Sequence, residues 1–326
     1  AMIDLCKNEK IAKIDKKHIT AVTSYSKTVI FENKPIIIGE RINPTGKKML
    51  KEALRNNDMD YIYREGVTQS DAGADVLDVS VGLPEIDEPT MMQNAVVGLQ
   101  SILNTPLQID TSDAVAMEKA LRIYNGKAMV NSVNGKEKVM EEVFPLVKKY
   151  GGVLVCLTLD ENGIPETVDG RIDIAKRIIN KAESYGITKE NLVFDPLCMT
   201  VSTNKDNAKI TLECIEKLTN ELGVKTVLGV SNISFGLPNR ELLNSTFFTL
   251  AMQKGLSSGI INPKSDAMMN AYYSYCALSG LDENFEQYIA NVTDTKTEIK
   301  SADVDLKTAV AKGLKSEARE QTKLEL

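Results

Sequence analysis

Residues 225–240 read KTVLGVSNISFGLPNR. Thr226, Val227, Leu228 and Val230 form a short apolar run of β-type residues, and Ser231, Asn232, Asn239 and Arg240 then turn the chain abruptly polar. The run predicts a buried strand over 226–232 that ends on Ser231-Asn232 and enters a glycine-proline loop. Such an ending fits a plain connecting loop or a ligand site at the strand's end. The rest of the chain decides between them.

Seven more strands of the same kind are expected at 36–40, 75–81, 106–111, 128–133, 152–158, 192–196 and 256–262. Amphipathic helical stretches separate them. AVAMEKALRI (114–123) puts Val115, Met117, Ala120 and Leu121 mainly on one face, and 175–186 and 206–223 each run to a glycine stop. Strict β/α alternation implies a parallel sheet, and eight units in roughly 250 residues match an α/β fold of the (β/α)8 TIM-barrel type. A doubly wound open sheet is the rival, but GERINPTG after the first strand is no GxGxxG fingerprint. The barrel is assigned to 31–295. Before it, TAVTSYSKTVIF (20–31) predicts a β-hairpin plugging the barrel's bottom, and 1–18 a helix and linker. After it, 301–326 predicts a C-terminal helical extension broken near Gly313.

Composition narrows the chemistry. The 326 residues are 43% hydrophobic and 26% charged, with net charge -6, which argues against a nucleic-acid binder. No apolar run is long enough to span a bilayer, and no signal peptide opens the chain, so a membrane partner is not expected. Cys6, Cys156, Cys198, Cys214 and Cys276 form no CxxC pair, which fits a reduced, cytoplasmic protein. His18 is the only histidine, so histidine-based zinc sites, serine triads and histidine bases are nearly excluded. Carboxylates, amides, arginine or a bound cofactor must carry any chemistry.

In a barrel the carboxyl ends of the strands form the active face. Here they carry Glu40 (with Arg41 and Asn43), Asp78, Asp110, Asn131 with Ser132, Asp195, Ser231 with Asn232, and Asn262. Any one of these could be a helix N-cap. Together they would point into one bowl, where packed carboxylates repel unless a ligand supplies donors. The set therefore predicts a flat heterocycle bearing amino and ring N–H groups. Met91, Met92 and Cys156 are read as packing residues, Asp160 and Glu161 as a solvated loop, and Lys47, Lys48 and Lys51 as a solvated helix face, with contact to an anionic ligand tail as the lesser alternative. Cys198, close behind Asp195-Pro196, is a weak candidate for the bowl's lining.

IIGERINPTGKK (37–48), LQIDTSD (107–113), MVNSVNG (129–135), FDPL (194–197) and GVSNISFGLPNR (229–240) together resemble the methyltetrahydrofolate-binding barrels of the pterin-binding methyltransferases, above all the folate domains of cobalamin-dependent methionine synthases. The resemblance covers roughly 31–290. Dihydropteroate synthases share the barrel, but their late-strand Lys and Arg motifs are not found here. The flanks extend the likeness: 1–30 resembles a linker and the end of a homocysteine-binding barrel, and 296–326 a linker and the start of the helical cap of a cobalamin domain. An excised middle piece is thus implied, without the zinc motif that activates homocysteine.

The resemblance implies 5-methyltetrahydrofolate as substrate and cobalamin, held by another domain of the same polypeptide, as methyl acceptor. It implies that the folate contacts Glu40, Asp78, Asp110, Asn131, Asp195, Ser231, Asn232, Phe235 and Arg240, with Asn232 as the catalytic residue near N5. Phe235 packs its loop or stacks on the ligand. Two other readings stay open: a methyltransferase serving a separate corrinoid iron-sulfur protein, and a folate-binding module without turnover.

Overall fold

The computed structural model describes residues 17–32 and 34–292, with Lys7, Arg319 and Thr322. The helix expected within 1–18 and most of the segment expected to be helical over 301–326 lie outside the described residues.

Two short antiparallel strands open the fold, β1 (Ala21–Thr23) and β2 (Thr28–Ile30). Eight parallel strands then close a barrel: β3 (Ile36–Ile42), β4 (Val76–Val79), β5 (Leu107–Asp110), β6 (Met129–Asn134), β7 (Val153–Leu157), β8 (Leu192–Asp195), β9 (Lys225–Gly229) and β10 (Ser258–Ile261). Each pairs with its sequence neighbour, and β10 returns to β3. The outer helices are α1 (Lys48–Arg55), α2 (Met59–Asp71), α3 (Glu88–Ile102), α4 (Ala114–Ile123), α5 (Glu137–Tyr150), α6 (Val168–Ser184), α7 (Asn207–Asn220), α8 (Arg240–Gln253) and α9 (Asp266–Leu278). Asp282–Leu326 form a second unit, in which Glu286–Asn291 are a short helix.

All eight expected strands and the hairpin are present. One boundary is corrected: the strand expected over 226–232 stops at Gly229, and Val230–Ser234 form a 3-10 turn. Val115 is also corrected, since it is 59% exposed while Met117, Ala120 and Leu121 are buried.

Strand alternation sorts the core into two shells. Leu77, Ile109, Val130, Leu154 and Phe194 face outward and are buried among helix residues such as Ala95, Met117, Phe144 and Ile178. Ile36, Ile38, Val76, Met129, Val153, Val155, Val193 and Val227 face inward, with Val22, Val29 and Phe31 of the hairpin. The hairpin is therefore a hydrophobic stopper at the amino-terminal end. Two residues further along the inward faces, the apolar side chains give way to Glu40, Asp78, Asn131, Asp195 and Gly229. One strand thus builds floor and site with a single period of two.

Candidate functional site

The inward positions at the carboxyl ends of the strands surround a bowl of about 590 Å³. Glu40, Asp78, Asp110, Asn131, Asp195, Ser231, Asn232, Phe235 and Arg240 all line it, as do Arg41, Asn43 and Asn262. Cys198 does not; it is buried beside the barrel in the cluster containing Ile215, Val230 and Ile233.

The carboxylates are not helix caps. That role falls to Asp58, Asp87, Asp113 and Thr167, whose side chains accept from the first turns of α2, α3, α4 and α6. Asp78 instead accepts from Gln108 Nε2 at 2.6 Å, and Asp110 from Asn43 Nδ2 at 3.3 Å. One oxygen of Asp195 accepts from the Leu197 N–H at 2.7 Å. Burial, the main cause, pushes the Asp195 carboxyl up to about 7, against Leu197 and Arg171, which favour the anion. Burial likewise lifts Asp110 to about 6; a hydrogen bond from Ser80 opposes it and Glu88 adds to it. Asp78 is raised well above the ordinary range by burial and then by Asp110. The bowl is an acceptor-rich cavity whose carboxylates lack enough donors, which suits a ligand presenting several N–H groups.

Cations also line the bowl. Lys47 was expected on a solvated helix face, but it precedes the first residue of α1 and turns into the bowl. Its Nζ donates to the carbonyls of Glu40 at 2.8 Å and Asn43 at 3.1 Å, stapling the loop after β3. Lys48 remains exposed. Burial raises the Glu40 carboxyl, and Lys47, Ser231, Arg41 and Arg240 oppose that rise. Asp160, expected in a solvated loop, is tied to Arg177 at 3.2 Å, whereas Glu161 is exposed.

The 225–240 stretch supplies the last wall. Asn232 sits on the 3-10 turn, and Gly229 leaves room for it: a Cβ there would lie 3.1 Å from Asn232 Nδ2. Arg240 ties the turn down through Nη2 to the Ser231 carbonyl at 2.8 Å and Nε to Ser234 Oγ at 3.0 Å. Ser234 Oγ in turn donates to Asn244 at 2.7 Å. The Arg240 guanidinium lies 4.5 Å from the centre of the Phe235 ring, which is 46% exposed at the rim. Sequence reasoning missed Gln108, Glu241 and Asn244, and gave Lys47 only as a lesser alternative. Only Gln108 carried a usable signal, lying two residues before Asp110 in a strand and so on the same face. Among the described residues, no group of three or more His, Cys, Asp or Glu is placed to hold a metal ion. No described helix is long and apolar enough to cross a membrane.

A closed parallel barrel with an acceptor-lined bowl at its carboxyl end defines a (β/α)8 protein built to hold a donor-rich heterocycle. The chain belongs to the pterin binding enzyme family, whose model matches residues 39–262. It is 32% identical over 259 residues to a methylcorrinoid:tetrahydrofolate methyltransferase of Eubacterium limosum, covering 78% of this chain and 94% of that one. It is 31% identical over 265 residues to a methionine synthase of Mycobacterium leprae, covering 76% of this chain but only 22% of that one. The chain therefore spans about a fifth of that second relative. Among solved structures, a dihydropteroate synthase of Xanthomonas albilineans with 4-aminobenzoic acid superposes with a TM-score of 0.65 at 18% identity, over 80% of this chain and 98% of that one. That likeness is one of fold.

Proposed function

We propose that the bowl binds 5-methyltetrahydrofolate and that the chain transfers the N5 methyl group between this folate and the cobalt of a corrinoid. The observation that carries the reading is the convergence of Asp110, Asn131 and Asp195 with Asn232 in one bowl. Relatives of both kinds, a methylcorrinoid:tetrahydrofolate methyltransferase and methionine synthases, support it.

The bowl's residues fit a pterin. Asp110, Asp195 and Asn131 accept from its amino and ring N–H groups and fix the ring, with Asp78 behind Asp110. Glu40, Ser231, Phe235 and Arg240 form the rim over which the rest of the folate leaves. An amine anion is a very poor leaving group, so N5 must gain positive character as its bond to the methyl carbon breaks. Asn232 stabilises N5 as a proton arrives from water; an amide is no general acid at neutral pH. A reduced corrinoid supplies the electron pair that takes the methyl group. Positioning and electrostatic stabilisation are then what the protein contributes. In the reverse direction the same groups hold N5 while it loses its proton.

We further propose that the barrel is the folate module of a methionine synthase. In that reading 31–295 form the folate-binding barrel, 1–30 lead from a homocysteine-binding domain, and 296–326 lead into a corrinoid-binding domain. The likeness to the methionine synthases supports it. A second reading places the corrinoid on a separate protein. The near-complete coverage of the Eubacterium limosum relative favours it, since that relative is scarcely longer than the barrel.

The test is anaerobic mixing of the chain with methyltetrahydrofolate and chemically reduced free cobalamin, followed by absorbance. Methylcobalamin formation above the protein-free rate, lost in Asn232→Ala, is expected. Folate binding without turnover would mean that a corrinoid-carrying domain must present the cobalt. Absence of folate binding would overturn the reading. Repeating the assay with a corrinoid domain supplied in trans or fused in cis separates the two carriers by which of them is methylated faster.

A further inference from the structure

Behind the bowl, and outside its lining, lies a buried cation that the proposed chemistry does not use. Arg171 points inward from α6 and is 2% exposed. Its Nε donates to the Pro165 carbonyl at 3.0 Å. Its Nη1 donates to the Pro196 carbonyl at 2.7 Å and to the Leu197 carbonyl at 2.8 Å. These bonds join the loop before α6 to the two residues that follow Asp195.

The second of them is unusual. Leu197 has φ of 66°, the left-handed region that a branched, non-glycine residue occupies only at a cost. The Leu197 N–H that meets one oxygen of Asp195 shares a planar peptide unit with the Pro196 carbonyl, so the bond from Arg171 to that carbonyl also fixes this N–H. A strained backbone persists where its surroundings over-determine it, and strain of this kind gathers at functional sites. Here the restraint is the guanidinium fork, whose fixed planar geometry lets one group hold several carbonyls at once.

We propose that Arg171 is a positioning residue for Asp195: by clamping the Pro196 and Leu197 carbonyls it holds the peptide whose N–H engages one carboxylate oxygen and leaves the other to meet the ligand. The assignment rests on the folate-binding reading of the bowl. The titratable groups around this pair are few. Asp195 faces Arg171 from α6 and Cys198 from its own loop, and Arg171 also faces Cys214 of α7. Burial pushes both thiols up, Cys214 to about 11, so neither carries charge near neutrality. Arg171 is thus the cation that favours an ionised Asp195.

The experiment measures methyltetrahydrofolate affinity from pH 5.5 to 8.5 for the unaltered chain, Arg171→Lys and Arg171→Met, each checked for folding by circular dichroism. Binding by the unaltered chain is the control on the folate reading; if it fails there, that reading fails and not this one. In Arg171→Met the pH midpoint of binding is expected to rise by about one unit, the scale of losing a nearby opposite charge. Arg171→Lys keeps the charge without the fork, so its midpoint should stay near that of the unaltered chain while affinity falls at every pH. Unchanged affinity and midpoint in both folded variants, or a uniform loss with no midpoint shift in Arg171→Met, would overturn the proposal. Leu197→Gly tests the clamp should Arg171→Met not fold. With the guanidinium in place, its folate affinity should stay within about twofold, because glycine accepts the left-handed turn freely. A large loss there would put the restraint in Leu197 itself and sink the assignment.

Discussion

At the scale of single residues, Asn232 and Asp195 carry separable expectations. In the proposed function Asn232 acts on N5 as charge develops, so its contribution should appear mainly in the transition state. Asn232→Ala should slow methyl transfer by about a hundredfold, as loss of comparable preorganised donors does, with a much smaller change in folate affinity. Single-turnover rates beside equilibrium binding check this; equal losses in both would undo the role. Asp195 titrates near 7, above an ordinary carboxyl, so the folded protein holds this proton where the unfolded chain has released it. Stability of the ligand-free protein is therefore expected to fall as pH rises from about 4 to 7, because the folded state binds more protons there. Urea midpoints across that range should show the decline, and Asp195→Asn should make it shallower without abolishing it, because Asp78, Asp110 and Glu40 are raised by burial in the same sense. On the proposed function, folate binding should run the other way, tightening as pH rises, because the ionised carboxylate is the better acceptor. Lys47 shows what the sequence conceals at this scale. Three lysines in KKMLK read as one wet helix face, yet one residue of offset puts Lys47 ahead of the helix and on the bowl's side of the loop.

At the scale of elements, the alternation of the strands made most of the site legible. Val76 and Asp78, Met129 and Asn131, and Val193 and Asp195 are pairs two apart, so an apolar inner residue announces a polar one above it. The eight strands were readable for the same reason, since short β-branched runs alternate with helical segments. The 225–240 element was less so. Val230 continues the apolar run and hides the point where strand becomes 3-10 turn, a distinction set by which carbonyl each N–H reaches. Gly229 marks that junction. Its φ of -74° suits alanine, so Gly229→Ala should keep the fold while its Cβ crowds the Asn232 amide. Methyl transfer is expected to drop by roughly tenfold through misplacement, with melting temperature little changed. A wild-type rate in Gly229→Ala would show that the amide's position is not critical.

At the scale of the whole molecule, the hairpin decides how the barrel ends. Phe31 is 2% exposed and packs with Val22 and Val29 against the inward strand residues. Phe31→Ala should cost about 3–5 kcal/mol in urea unfolding, the usual range for a buried phenylalanine. Folate affinity should be unchanged where the variant remains folded, because the bowl lies at the other end. A matching loss of affinity would mean that floor and bowl are coupled. The hairpin was legible from its two β-type runs, whereas the buried fork of Arg171 was not. An arginine in VDGRIDIAKRI reads as one more charge on a helix, and only the third dimension shows it facing carbonyls from a distant loop.

The stopper also makes the barrel a cul-de-sac. With the amino-terminal end sealed by Val22, Val29 and Phe31, traffic into and out of the bowl shares one mouth. Whatever lies deepest must arrive before, and depart after, anything that parks across the entrance. A pterin on the strand ends would be sealed in by its own reaction partner, so a chase with unlabelled folate should displace bound labelled folate freely from the lone chain and slowly once that partner is docked.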